Sequence, residues 1–289
     1  MIIDFRVRPP LGSFTKLSIY TNKWLKGLFA FHGEAPRSAQ SESMELFREE
    51  LQRAGVVKTV VWGRAVSDPA ESTSNDDVAA IVAAHPDTFA AGLGGIFVRD
   101  NSQAAIDEAV KAVDHAITTL GMRGITLEPT FDQHGLAHPN DERFYPVYQR
   151  CAELGGILGL TVSRGSGKDQ DLSHSNPVHV DRVARSFPTL PIVVSHAFWP
   201  FVEESCGLAF RRDNVYLVPD MYGVGMPGHL GWVELANTVS PEKILFASAY
   251  PIVGVEELVA GYLRLPFRND TIRDMVMGGN AARLLGISL

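Results

Sequence analysis

Arg6 and Arg8 stand two residues apart in the apolar opening run Ile2-Ile3-Asp4-Phe5-Arg6-Val7-Arg8. Side chains along a strand alternate with period two, so the two guanidiniums share a face. Arginine does not shed its proton at physiological pH. A buried, unpaired charge costs on the order of several kcal/mol. Anions must therefore lie near. Glu128 and Asp220 are the candidates within the chain, and the carboxylate of a small anionic substrate is the candidate outside it. Internal salt bridges are the alternative use for the same pair.

His196 directly follows the strand-like run Ile192-Val193-Val194-Ser195. With a reference pKa of about 6.5, a histidine at a strand end can act as general acid or base. A satisfied structural histidine is the competing reading. Tyr250 and Glu128 are expected to assist proton transfer, although a buried tyrosine can equally well only cap a strand. Arg64, Ser163, Arg164, Trp199, Asp220 and Tyr222 also sit at or just beyond the ends of apolar runs, and they are the expected substrate contacts. The remaining histidines (His32, His85, His115, His134, His138, His174, His179 and His229) show no ligand spacing and read as surface or loop residues.

These side chains need elements to hold them. Short apolar runs at 1–7, 56–62, 88–96, 122–127, 157–163, 191–195, 215–218 and 244–247 read as strands. Helical periodicity fills the intervals at 41–54, 75–84, 101–120, 141–154, 177–186, 201–210, 230–238, 255–262 and 271–285. Several strands are continuous apolar runs, as a parallel sheet buried on both faces requires. Eight such alternations predict one α/β domain, a (β/α)8 barrel over residues 1–289, with a doubly wound sheet as the alternative. Barrel sites lie where the strands end at their C-terminal side, which is where the polar groups collect. Residues 9–40 form an insertion after the first strand, rich in Phe14, Tyr20, Trp24, Phe29 and Phe31. It is expected to cover part of that mouth.

The chain has 289 residues, 45% of them hydrophobic and 20% charged, with a net charge of −7. Such a chain builds a core without disulfides. Its charge argues against nucleic-acid or anionic-membrane partners, though not against a small anionic ligand in a locally positive pocket. Cys151 and Cys206 lack CxxC spacing, so reduced thiols and a cytoplasmic location are expected. No apolar run approaches the ~18 residues of a membrane span, and the first residues enter a strand with no visible targeting segment. The aromatic insertion offers apolar surface that suits a homo-oligomer, a dimer or larger.

In order along the chain, the motifs resemble the amidohydrolase-2 family. Ile2-Ile3-Asp4-Phe5-Arg6-Val7-Arg8 is similar to its Ile-Asp-x-His-x-His start. Gly121-Met122-Arg123-Gly124-Ile125-Thr126-Leu127 is similar to its Gly-x-Lys-Gly strand. Phe187-Pro188-Thr189-Leu190-Pro191-Ile192-Val193-Val194-Ser195-His196 matches its sixth-strand segment. Ile244-Leu245-Phe246-Ala247-Ser248-Ala249-Tyr250-Pro251 resembles Ile-Leu-Phe-Gly-Ser-Asp-Tyr-Pro, and Gly279-Asn280-Ala281-Ala282-Arg283-Leu284-Leu285 matches its closing motif.

The resemblance implies a metal-dependent TIM barrel, yet the metal ligands it implies are mostly replaced. Arg6 and Arg8 stand where the family has two histidines, Ser163 replaces another histidine, and Ala249 replaces the aspartate. Only His196 remains. A catalytic zinc takes about three protein ligands, so no metal and no cofactor are expected, with guanidinium supplying the positive charge instead. The leading expectation is a metal-independent enzyme acting on a small carboxylate or lactone by hydrolysis, isomerisation, proton transfer or decarboxylation. A metal-dependent hydrolase using Glu128, Asp220 and His196 as substitute ligands is one alternative. A non-catalytic ligand-binding barrel is the other.

Overall fold

The structure, a computed structural model, describes residues 1–130, 137–162 and 171–288. Seven parallel strands follow one another in sequence order: β1 (Ile2–Val7), β2 (Val56–Trp62), β3 (Phe89–Gly95), β4 (Gly124–Leu127), β5 (Ile157–Thr161), β6 (Ile192–Ser195) and β7 (Val215–Val218). Helices lie between them in the order expected of a (β/α)8 barrel. The expected eighth strand, 244–247, is not a regular strand. It touches β7 through a single bridge, Leu217 to Ile244, and β1 through another, Val7 to Tyr250. Leu245 N donates to Leu217 O at 2.9 Å and Phe5 N to Phe246 O at 3.0 Å, so this segment still closes the ring. Its ladder is interrupted because Phe246 N donates to Val276 O at 3.0 Å instead. Ala249, left-handed at φ 57°, then ends the extended run.

Both faces of the sheet are apolar. Val60, Trp62, Leu93, Val193, Val218 and Leu245 belong to one buried cluster with β1's Ile3 and Phe5. Val61, Ile125, Leu127, Leu160 and Val194, at the alternate positions, belong to another with the helix residues Phe47, Val78, Val113 and Val147. Each such side chain contributes about 1.5–3 kcal/mol on full burial. Alternation along β2 to β7 thus leaves one set of side chains for the barrel interior and one for the helix layer, while β1 breaks step, with a register shift between Asp4 and Val7. Trp62 fills much of that interior. Its indole N–H donates to Phe5 O at 2.7 Å. On β5 it needs a glycine, since a Cβ added at Gly159 would stand 2.8 Å from the indole ring.

Helix ends follow local chemistry. The helix expected at 41–54 starts at Met44 because the Ser43 side chain accepts from Leu46 N, and it stops at Gly55, left-handed at φ 72°. The helix expected at 101–120 is Gln103–Asp114 followed by a wider π turn, His115–Thr119. The last expected helix divides into Asp270–Asp274, a π turn Met275–Gly279, and Asn280–Leu285. The insertion winds through short helical turns from Gly12–Lys16 to Arg37–Gln40. The side chain of its Trp24 lies outside the described residues.

Candidate active site

Arg6 and Arg8 leave β1 at the C-terminal end of the barrel and are 3% and 5% exposed. They meet different fates. Arg8 forms a buried ion pair with Glu128, which follows β4. The other oxygen of Glu128 accepts from Arg64 Nε at 2.8 Å. Arg64, just beyond β2, also holds Glu71 through Nη1 at 2.6 Å. Its backbone is fixed by Thr73, whose hydroxyl accepts from Arg64 N at 2.8 Å. Burial alone would raise the Glu128 pKa, but the facing Arg8, Arg64 and Arg6 hold it far below the usual carboxylate range. Burial pushes the Arg8 pKa down to about 10 despite Glu128, and the cations Arg6 and Arg64 push it the same way.

Among the described residues Arg6 has neither an ion pair nor a side-chain hydrogen bond. Its Nε is buried without a partner. The guanidinium carbon lies 5.6 Å from the centroid of the Trp62 ring beneath it. Internal pairing thus accounts for Arg8 and Arg64 and leaves Arg6 over.

Opposite lies a second polar group. His196 Nδ1 is 3.0 Å from Asp220 Oδ1, and His196 N donates to Asp220 Oδ2 at 3.2 Å. Ser195 Oγ donates to the same Oδ2 at 3.0 Å, and the Tyr262 hydroxyl donates to the Asp220 carbonyl at 3.0 Å. Asp220 was expected to touch substrate or arginine; its carboxylate instead orients His196. With Nδ1 facing a carboxylate, the neutral ring carries its proton there and leaves Nε2 as acceptor. Burial lowers the His196 pKa, Asp220 opposes this, and Arg6 adds to it. The backbone that aims this pair is left-handed at His196, Ala197 and Phe198 (φ 65°, 41° and 65°) and at Asp220 (φ 45°). Such conformations in non-glycine residues cost of order 1–3 kcal/mol each and cluster at functional sites.

Tyr222 joins the site to the insertion. Its ring lies 5.2 Å from His196 and 5.4 Å from Phe29, edge-on to both. Trp199 stacks on Tyr222 at 5.2 Å and donates its indole N–H to Pro227 O at 3.2 Å. His32, from the same insertion, reaches Met221 O at 2.8 Å.

Tyr250 is not brought to the arginines. Its hydroxyl is 2.8 Å from Ser38 Oγ, which contacts the buried Glu50 carboxylate. Its ring lies 4.5 Å from that of Phe47 in the helix layer. Tyr250 O accepts from Arg8 N at 3.0 Å, and the Tyr20 hydroxyl donates to Arg8 O at 2.6 Å, so this group braces β1 and the insertion. Glu128, the other expected proton carrier, has both oxygens engaged by arginine. Ser163 and Arg164 lie outside the described residues. Glu71 and Ser195 join the site without a signal in the sequence: Glu71 lies in a turn outside any periodic run, and Ser195 is one more residue of the buried β6 run.

A divalent cation does not fit these residues. Arg6 and Arg8 occupy the first two positions where the resemblance implied ligands, and Ala249 has no donor. Among the described residues no three His, Cys, Asp or Glu side chains group to hold a metal ion.

The family model described as amidohydrolase matches residues 3–287. No curated protein matches the chain. Among solved structures, an uncharacterized TIM-barrel protein from Bordetella bronchiseptica is 37% identical, with a TM-score of 0.89 over 99% of this chain and 98% of that one. The 5-carboxyvanillate decarboxylase of Sphingomonas paucimobilis is 20% identical, with a TM-score of 0.66 over 99% of this chain and 98% of that one. The 4-oxalomesaconate hydratase of Rhodopseudomonas palustris is 18% identical, with a TM-score of 0.67 over 99% and 96%. The two enzymes share the fold. With the family model spanning nearly the whole chain and the Bordetella barrel aligned end to end, this chain belongs to the amidohydrolase family.

Proposed function

We propose that this barrel is a metal-independent enzyme for a small carboxylate or lactone, in which arginine supplies the positive charge at the reacting centre. The observation that carries the reading is Arg6. A buried guanidinium with no ion pair and no side-chain hydrogen bond among the described residues is unfavourable for the fold alone, and an acid bound beside it would supply the missing partner. A guanidinium offers a planar, two-pronged match to a carboxylate. Held beside the substrate, it also stabilises negative charge as an enolate or oxyanion develops. His196 Nε2 takes or returns the proton, and Asp220 keeps the ring in the tautomer that frees Nε2. The pairing serves lactone hydrolysis, with water as the nucleophile giving its proton to Nε2, isomerisation and keto–enol transfer, with Nε2 moving a proton between carbon and oxygen, and decarboxylation, with CO2 leaving and protonated His196 returning a proton to the carbanion.

Tyr222 lies against His196, and Phe29 lies against Tyr222, which supports reading the insertion as a lid over the reacting centre. The names of the structural neighbours, a carboxyvanillate decarboxylase and an oxalomesaconate hydratase, support acids as substrates. The reading with Glu128 and Asp220 as substitute metal ligands is disfavoured, because arginines hold the first and His196 the second.

The test combines metal analysis with a thermal-shift screen of small carboxylates and lactones on the wild type, Arg6→Met and His196→Gln. Acids should raise the Tm of the wild type and of His196→Gln but not of Arg6→Met, and turnover of any hit should vanish in His196→Gln. Stoichiometric zinc or manganese bound through His196, or turnover lost to a chelator, would overturn the proposal.

A further inference from the structure

Two buried hydroxyls stand out on β4 and β5. Thr126 on β4 and Thr161 on β5 are each 1% exposed. Among the described residues neither Oγ1 has a hydrogen-bond partner. Other buried threonines differ: Thr73 Oγ1 accepts from Arg64 N at 2.8 Å, and Thr130 Oγ1 donates to Val162 O at 3.3 Å.

The direction of both side chains follows from the strands. Ile125, Leu127 and Leu160 pack in the cluster shared with the helices. Their alternate positions, Thr126, Glu128 and Thr161, therefore face the barrel interior. Glu128, two residues beyond Thr126 on that face, holds Arg8. Thr126 lies opposite Gly159, two residues before Thr161. The strand spacing and rise put the two threonine Cα atoms roughly 8 Å apart on the diagonal.

Neither hydroxyl contributes a hydrogen bond to the fold among the described residues. Valine has nearly the same shape, is also a strand former and has no hydroxyl to desolvate. A hydroxyl also differs from Arg6 in kind, since it both donates and accepts whereas guanidinium only donates.

We infer that Thr126 and Thr161 bind a second oxygen of the acid held by Arg6, so the ligand class is a hydroxy- or keto-acid rather than a plain carboxylate. This rests on the carboxylate reading of Arg6 above and adds the second recognition point.

The experiment measures Kd by ligand-detected NMR for matched pairs of acids: propionate against lactate and pyruvate, and butyrate against 3-hydroxybutyrate. The proteins are the wild type, Thr126→Val, Thr161→Val, the double valine variant and Arg6→Met. In the wild type at least one oxygenated acid should bind about tenfold tighter than its plain partner, as expected for one net hydrogen bond. The valine variants should erase that preference, keep the plain acid's Kd within about twofold, and melt no lower than the wild type. Arg6→Met should weaken every acid. Equal binding of plain and oxygenated acids by the wild type, or a preference surviving in the double variant, overturns the hydroxyl pair while leaving the arginine reading intact. A lower Tm in the valine variants also overturns it, because the hydroxyls then serve the fold. Acids that bind nowhere, or that ignore Arg6→Met, overturn both.

Discussion

Replacing Arg6 by methionine separates a ligand-binding arginine from a structural one, because the two roles predict stability changes of opposite sign. Arg6 is 3% exposed, has no ion pair among the described residues, and rests on Trp62 at 5.6 Å. Removing an unpaired buried cation relieves a desolvation cost of several kcal/mol, by order of magnitude. Against this, the substitution ends the cation–π attraction to Trp62, worth about 0.5–2 kcal/mol. Methionine keeps most of the apolar stem. The balance is a gain of about 1–2 kcal/mol, or ~2–4 °C in Tm for a chain of this size. Ligand affinity should move the other way. A guanidinium about 4 Å from a carboxylate, at an effective dielectric of about 20, contributes about 4 kcal/mol. That corresponds to a loss of roughly a thousandfold in Kd as an upper figure. The His196 pKa should also rise, because Arg6 is one of the groups lowering it. Differential scanning calorimetry, acid titrations and a pH–rate profile on the same variant read all three. A variant several degrees less stable, binding acids as the wild type does, would show that Arg6 belongs to the scaffold and would refute the argument.

Tyr250→Phe should lower stability by about 1 kcal/mol through the broken bond to Ser38 while leaving turnover unchanged; a drop in kcat alone would return Tyr250 to the site. Gly159→Ala drives a methyl group into the Trp62 indole, so overpacking of about 1–3 kcal/mol is expected, together with weaker acid binding as Trp62 shifts under Arg6; an unchanged Tm contradicts this. Asp4 is buried, and burial pushes its pKa up to about 6 from 3.8. Its folded carboxyl therefore keeps a proton to higher pH than the unfolded one, and the stability it contributes is present below 3.8 and lost as pH rises through about 6. Asp4→Asn should thus gain more over the wild type at pH 7.5 than at pH 5, by roughly 1 kcal/mol; a gain independent of pH refutes the assignment. Comparing variant with wild type isolates Asp4 from His196, whose lowered pKa destabilises the fold as pH falls below its unfolded value. Light scattering at micromolar concentration should give a dimer or larger, and one chain's mass, 31.5 kDa, would refute that.

Periodicity reports burial, and burial made the strands legible. Continuous runs such as Ile192–Ser195 have no polar face to mislead, so seven strands fall where the apolar runs lie. The closing segment at 244–247 reads equally apolar, yet its ladder is broken by Val276, a partner thirty residues away that no local pattern announces. Residue type marked Arg6, Arg8 and His196 as chemical because each is anomalous where it stands. Pairing was not legible, since it depends on which strand ends face one another around the ring. That is why Glu128 and Asp220 look interchangeable as counter-ions, although one pairs with two arginines and the other orients a histidine. The same limit hid the stacking of His138 on His179 at 3.8 Å and on His174 at 4.7 Å, three histidines with no common spacing. It also hid Thr126 and Thr161, since a strand threonine is ordinary by propensity. Only its unmet hydroxyl is unusual, and that exists only once the fold has removed every other partner. A charge out of place can be seen in a sequence, whereas a hydrogen bond left unmade can be seen only in a structure. For this barrel the first kind of signal carries the proposed site, and the second carries the proposal about its ligand.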